Sequence, residues 1–153
     1  MCREPMRCFA MRKVEAHPLA DSILAAARAR IGVRFRPQGR GVEGLDCLGL
    51  VLGAGQAAGL NLVAPHFALR GMRLEQARAR LATAGLQEVA EAAPGDVMLG
   101  APATLQLHLA FWTGSGVIEA HAGLGRVVER RFVEGESWDS AWRLPMGECA
   151  WHR

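Results

Sequence analysis

Gly44-Leu45-Asp46-Cys47-Leu48-Gly49-Leu50-Val51 reads as a loop that turns into a helix, with a cysteine at the turn. Asp46 is a good N-cap, because its carboxylate can accept from the orphan amides of a first helical turn. Cys47 then takes the first helical position, where unpaired N–H groups and the positive end of the helix dipole favour an anion. The anion is the reactive form of a thiol. The plainer reading is a small buried cysteine at a helix start, since free cysteine is among the most buried residue types. The helix that follows is apolar on most sides (Leu48, Leu50, Val51, Leu52, Ala54, Ala57, Ala58) and stops near Gly59. A helix apolar all round is a central, buried one.

Outward from that helix, residues 1–18 read as a poorly ordered N-terminal arm ending at His17-Pro18, and residues 19–153 as one domain. A first helix is expected from an Asp21 cap, with Ile23, Ala26, Ala27 and Ile31 as its stripe and Gly32 as its stop. Residues 33–45, rich in Gly and Arg, read as a loop leading to Cys47. A third helix is expected from about Leu74 to Ala84, ending at Gly85. Beyond it the periodicity turns from helical to extended. Strands are expected over 96–99, 105–113, 117–122, 126–132 and 141–144, with turns at Pro94-Gly95 and Gly114-Ser115-Gly116. Helices first and strands second predict an α+β domain with about five antiparallel strands.

Composition narrows the function. A chain of 153 residues, half of them hydrophobic, is long enough to bury a real core without staples. No apolar run reaches the roughly 18 residues that span a bilayer, so no membrane span is expected. The charged stretch Met1 to Glu15 has no apolar h-region, so synthesis in the cytoplasm without a signal peptide is expected. The net charge of +3 comes from basic residues scattered among Asp and Glu, which argues against nucleic acid. Cys2, Cys8, Cys47 and Cys149 lack zinc spacing, and His17, His66 and His152 complete no ligand set, so neither metal nor cofactor is expected.

Around His108, strand alternation sends Leu107, Leu109 and Phe111 to one face and His108, Ala110 and Trp112 to the other. A two-residue turn at Gly114-Ser115 would place His121 directly opposite His108, with Glu119 beside it on the same face, opposite Ala110. Two half-exposed histidines on a polar sheet face would look the same. Yet a thiolate-prone cysteine, a later histidine and a third polar residue on the next strand are the parts of a cysteine nucleophile triad. The base takes the thiol proton and the third group fixes the imidazole.

In that order the motifs resemble the NlpC-type cell-wall cysteine peptidases, a papain-like family. Gly32-Val33-Arg34-Phe35 is similar to the family's Gly-x-x-Tyr, and Asp46 to Val51 to its Asp-Cys-Ser-Gly-Leu-Val. Pro94-Gly95-Asp96-Val97, His108-Leu109-Ala110-Phe111-Trp112 and Ile118-Glu119-Ala120-His121-Ala122 match its later segments. The resemblance implies a papain-like α+β fold with N-terminal helices packed on the sheet. It also implies a thiol peptidase that hydrolyses amide bonds in peptidoglycan stem peptides, after D-γ-glutamyl, with Cys47 as nucleophile and His108 as base and no cofactor. His121 is the favoured third residue from the hairpin register and the His-Ala dipeptide, and Glu119 is the alternative. Asp46 is expected to hold the free amine of the stem peptide, in a pocket with Phe35 and Leu48. Phe35 stands where the family has tyrosine, and Leu48 where it has serine. Leu48 and the Trp142-Arg143-Leu144-Pro145 ending look most like members from phage and gene-transfer-agent tail modules, which implies phage-like tail proteins as partners and action at the cell wall after release or within a tail particle. The alternatives are a structural tail protein with weak or no catalysis, and a related amidase or acyltransferase with a non-peptidoglycan substrate.

Overall fold

The computed structural model describes residues 15–63, 69–101 and 106–146. Three helices, α1 (Ala20–Arg28), α2 (Cys47–Ala57) and α3 (Leu74–Thr83), accompany eight strands. Two short strands, β1 (Arg40–Gly41) and β2 (Gly44–Leu45), form a small hairpin just before α2. The other six are β3 (Gln87–Val89), β4 (Val97–Gly100), β5 (His108–Trp112), β6 (Gly116–His121), β7 (Arg126–Arg131) and β8 (Trp138–Arg143). They form one antiparallel sheet in the order β3-β8-β4-β5-β6-β7.

The helix carrying Cys47 is the hub. Leu48, Leu50, Val51, Leu52 and Ala54 are all buried in the same cluster as Ile23, Leu24 and Ala27 of α1 and Leu99, Leu109, Phe111, Ile118 and Ala120 of the sheet. Alternation on β5 and β6 supplies the inner sheet face; burying a side chain such as Phe111 contributes about 1.5–3 kcal/mol. The first turn of α2 also lies against bare backbone. A Cβ added at Gly49 would stand 2.0 Å from the Gly39 carbonyl oxygen, so only glycine allows this approach.

Several details differ from the sequence reading. The sheet has six strands because Gln87–Val89, too short and polar to carry a period, pairs with β8 at the edge. Residues 40–45 form a hairpin, since two-residue strands leave no alternation to detect. Helix α1 is capped at Leu19 with no side-chain bond, and Asp21 sits within its first turn. Ile31 lies beyond the helix and is exposed. Residues 1–14 of the expected arm lie outside the described residues, but its end is packed on the domain. His17 is buried, its Nε2 2.9 Å from the Leu144 carbonyl oxygen while Nδ1 accepts from the Leu19 amide. Cys2, Cys8, His66, Cys149 and His152 also lie outside the described residues. No described helix is long and apolar enough to cross a membrane.

Candidate active site

Asp46 has extended backbone and caps α2, its Oδ1 accepting from the Gly49 amide at 2.8 Å. The same oxygen takes a hydrogen bond from Arg40 Nη1 at 2.6 Å, and Oδ2 accepts from the Gln38 amide at 3.0 Å. The carboxylate is thus held by three donors of its own chain, and the cap fixes the start of α2 at Cys47. Of the first-turn amides, those of Cys47 and Leu48 have no carbonyl one turn back to bond.

Cys47 is partly buried, and its thiol lies beside the imidazole of His108, the first residue of β5, near enough to raise its pKa. His108 Nε2 stands 2.9 Å from Glu119 Oε2 on β6, which leaves Nδ1 for the sulfur. Glu119 is 2% exposed, and its other oxygen accepts from Arg130 Nε on β7 at 2.6 Å. Arg130 Nη2 in turn donates to Glu136, whose second oxygen accepts the Val133 amide at 2.9 Å. The chain Cys47–His108–Glu119–Arg130–Glu136 therefore runs from the start of α2 across three adjacent strands.

Charges in this row hold one another. Burial alone would push His108 down, but the Cys47 thiol and the hydrogen bond to Glu119, together with their charges, outweigh it and raise its pKa to about 9. Burial alone would raise Glu119; the hydrogen bonds from His108 and Arg130 instead bring it down to about 2. Near neutral pH the pair is therefore imidazolium and carboxylate. The Trp138 ring on β8 lies 6.1 Å from the His108 ring, centroid to centroid, at a tilt of 36°. Its buried Nε1 has no hydrogen-bond partner among the described residues.

The sequence-derived residues separate here. Cys47 and His108 are brought together, and Asp46 lies next to the thiol as cap. His121 is not brought to His108. The strand register agrees with the two-residue turn, pairing Phe111 with Ile118 and Trp112 with Val117. His121 nevertheless turns its Nδ1 to accept from the Leu124 amide at 3.0 Å, closing the turn after β6. Glu119 reaches His108 instead, on the diagonal, where a long side chain can span the gap. Leu48, expected beside the substrate, is 2% exposed and packed into the core, because α2 buries nearly its whole circumference. Phe35 is partly buried against the same core and bridges to Leu45. Arg40 and Arg130 were not singled out from sequence, where both look like ordinary scattered arginines. The even spacing of His108, Glu119 and Arg130, eleven residues apart, is the one signal that links strands β5 to β7. Among the described residues no cluster of His, Cys, Asp or Glu is placed to hold a metal ion.

Neither a family model nor a curated protein sequence matches the chain. Solved structures do. NlpC1 from Trichomonas vaginalis superposes with a TM-score of 0.61 at 15% identity over 86% of this chain, which spans 47% of that protein. RipD from Mycobacterium tuberculosis, described as a non-catalytic NlpC/p60 domain protein adapted to peptidoglycan binding, gives 0.55 at 19% identity, covering 83% of this chain and 97% of that one. The peptidoglycan hydrolase RipB from the same organism gives 0.56 at 23% identity, covering 82% and 64%. Likenesses at this level of identity speak to architecture: the chain has the papain-like α+β fold of the NlpC/p60 domains.

Proposed function

We propose that this protein is a cysteine peptidase that hydrolyses amide bonds of peptidoglycan stem peptides, after D-γ-glutamyl, through an acyl-enzyme on Cys47. One observation carries the reading: a cysteine at a capped helix start lies beside a histidine whose Nε2 is held by a buried carboxylate. The substrate class is supported by the motif resemblance and by the fold shared with RipB, a peptidoglycan hydrolase. The ending Trp142-Arg143-Leu144-Pro145 supports delivery in a phage-like or gene-transfer-agent tail particle.

The steps follow from the geometry. The Cys47 thiolate attacks the carbonyl carbon, and the developing oxyanion is met by first-turn amides of α2. His108, held as imidazolium, gives its Nδ1 proton to the leaving amine as the C–N bond breaks, leaving a thioester. Neutral His108 then takes a proton from water, whose hydroxide attacks the thioester; the adduct expels the Cys47 thiolate and the acid, and the proton kept on His108 restores the starting pair. Glu119 touches neither reacting bond; it fixes the imidazole and stabilises its charge. Phe35 in place of the tyrosine leaves no phenolic donor, so the backbone amides carry the oxyanion.

Asp46 has a different part from the one expected. Its oxygens are engaged by Gly49, Gln38 and Arg40, so a substrate ammonium would have to displace Arg40. We assign it to capping α2 and positioning Cys47. A second reading, peptidoglycan binding without catalysis, is favoured by one observation: the same fold serves that end in RipD. Alkylation at low pH separates the two. Iodoacetamide should modify Cys47 at pH 5, where an ordinary thiol is inert, and His108→Ala should abolish that reactivity; equal inertness of wild type and variant would favour the binding protein.

A further inference from the structure

The row of charges does not end at the group that orients the base. Glu119 is a buried carboxylate with two demands on it, His108 on one oxygen and Arg130 on the other. A buried anion facing a single cation can draw close to it and share its proton; one held between two cations is fixed in place and divides its field between them. Arg130 suits the second arrangement. Its Nε and Nη2 form two edges of one planar fork, bonded to Glu119 and Glu136 respectively. Glu136 is anchored independently by the Val133 amide, and Arg130 Nη1 also donates to the Arg131 carbonyl. The guanidinium is therefore locked, although it lies one residue beyond the proposed site and touches neither the thiol nor the imidazole.

We infer that Arg130 is a positioning residue for the proposed thiol hydrolase, clamped by Glu136 so that Glu119 presents one oxygen to His108. The inference rests on the reading of Cys47 and His108 as nucleophile and base, and it adds a tuning role. The charged and polar groups that face His108 are Cys47 from α2, Glu119 from β6 and the Trp138 ring from β8. Those that face Glu119 are His108 and, from β7, Arg130. Glu136 opposes Arg130 from the connection between β7 and β8. Within this set Arg130 is the one permanent cation on the far side of Glu119. Its charge competes with the imidazolium for the carboxylate, so its removal should make His108 harder to deprotonate and leave Glu119 free to turn.

The test is an NMR titration of the His108 ring in wild type, Arg130→Gln and Arg130→Lys, each checked for folding by its melting profile. Arg130→Gln should move the His108 midpoint upward by about half a unit or more, as loss of a nearby like charge does. Arg130→Lys should bring it back toward wild type, because the charge is restored without the fork. With a stem peptide substrate, kcat should fall on the order of 10-fold in Arg130→Gln, the low end of what misplacing acid–base assistance costs, while KM stays within about twofold. If Arg130→Gln does not fold, Glu136→Gln is titrated instead: it leaves the Arg130 charge to Glu119 alone, so the His108 midpoint should move downward, and an unchanged or raised midpoint overturns the inference. A folded Arg130→Gln variant with an unchanged or lowered His108 midpoint overturns the inference. The titration needs no turnover, so a wild type that cleaves nothing would defeat the proposed activity and still leave the role of Arg130 decided.

Discussion

Glu119 is the residue on which sequence and structure weigh differently. The register observed at the turn agrees with the two-residue turn, but register fixes Cβ positions and says nothing of rotamers. The imidazole of His121 is drawn off by the Leu124 amide, while the longer glutamate spans the diagonal to His108 and is met from behind by Arg130. Cys47 and His108 were legible because a cap and an alternating strand are local patterns; the partner of His108 was not, because it depends on side-chain competition. Two consequences are expected at this scale. Glu119→Gln should lower kcat by about 10² or more and His121→Ala clearly less; the reverse ranking would return the orienting role to His121. The proton on His108 should also set an alkaline limb. Since its pKa is raised to about 9, kcat/KM should hold through neutral pH and fall above about 9 as the imidazolium that protonates the leaving group is lost. In Glu119→Gln that limb should move down toward the ordinary histidine range.

At the scale of elements, α2 was the most legible piece. An Asp cap, an apolar body and a terminal glycine agree on one helix, and it spans Cys47–Ala57 with Gly59 at φ +99°. The loop before it was illegible, because the β1–β2 hairpin rests on two pairs of residues and on glycine contacts such as that of Gly49 with the Gly39 carbonyl. That hairpin carries Arg40 to Asp46, which bears on substrate selection. Wild type should treat a stem tetrapeptide with a free amine and its N-acetyl form nearly alike, because Oδ1 is already bonded to Arg40. Arg40→Ala frees that oxygen and should raise the preference for the free amine by about 10-fold, the worth of one charge-assisted hydrogen bond. A strong preference already present in wild type would mean that Asp46 holds the amine in spite of Arg40.

For the whole molecule, the α+β class followed from the order of helices and strands, and the NlpC-type fold from spaced motifs. The packing of residues 15–18 did not, since one histidine and one proline carry no periodic signal. That segment makes stability depend on pH. Burial lowers the pKa of His17, the Leu144 carbonyl opposing it, so the unfolded chain binds a proton more readily below about 6.5 and stability should fall there as pH drops. His108 acts with the opposite sign. Its folded pKa is raised, so its contribution is complete below about 6.5 and is lost as pH rises through about 9. Glu119, depressed to about 2, adds stability above the ordinary range of a glutamate and loses it as pH falls through that range toward 2. Melting temperature should therefore peak near pH 6.5–7 and decline on both sides. His17→Ala should flatten the decline between pH 6.5 and 5, and an unchanged slope there would remove His17 as its source.

The central claim, a Cys47 hydrolase of stem peptides, is tested most directly by digesting purified sacculi with wild type and Cys47→Ala protein and identifying the released products by mass spectrometry. Wild type should release fragments that end in, or begin just after, D-glutamyl, each one water heavier than the bond it came from, and Cys47→Ala, folded and equally stable, should release none. Sacculi left intact by a wild-type protein that still binds them, or equal products from both proteins, would contradict it.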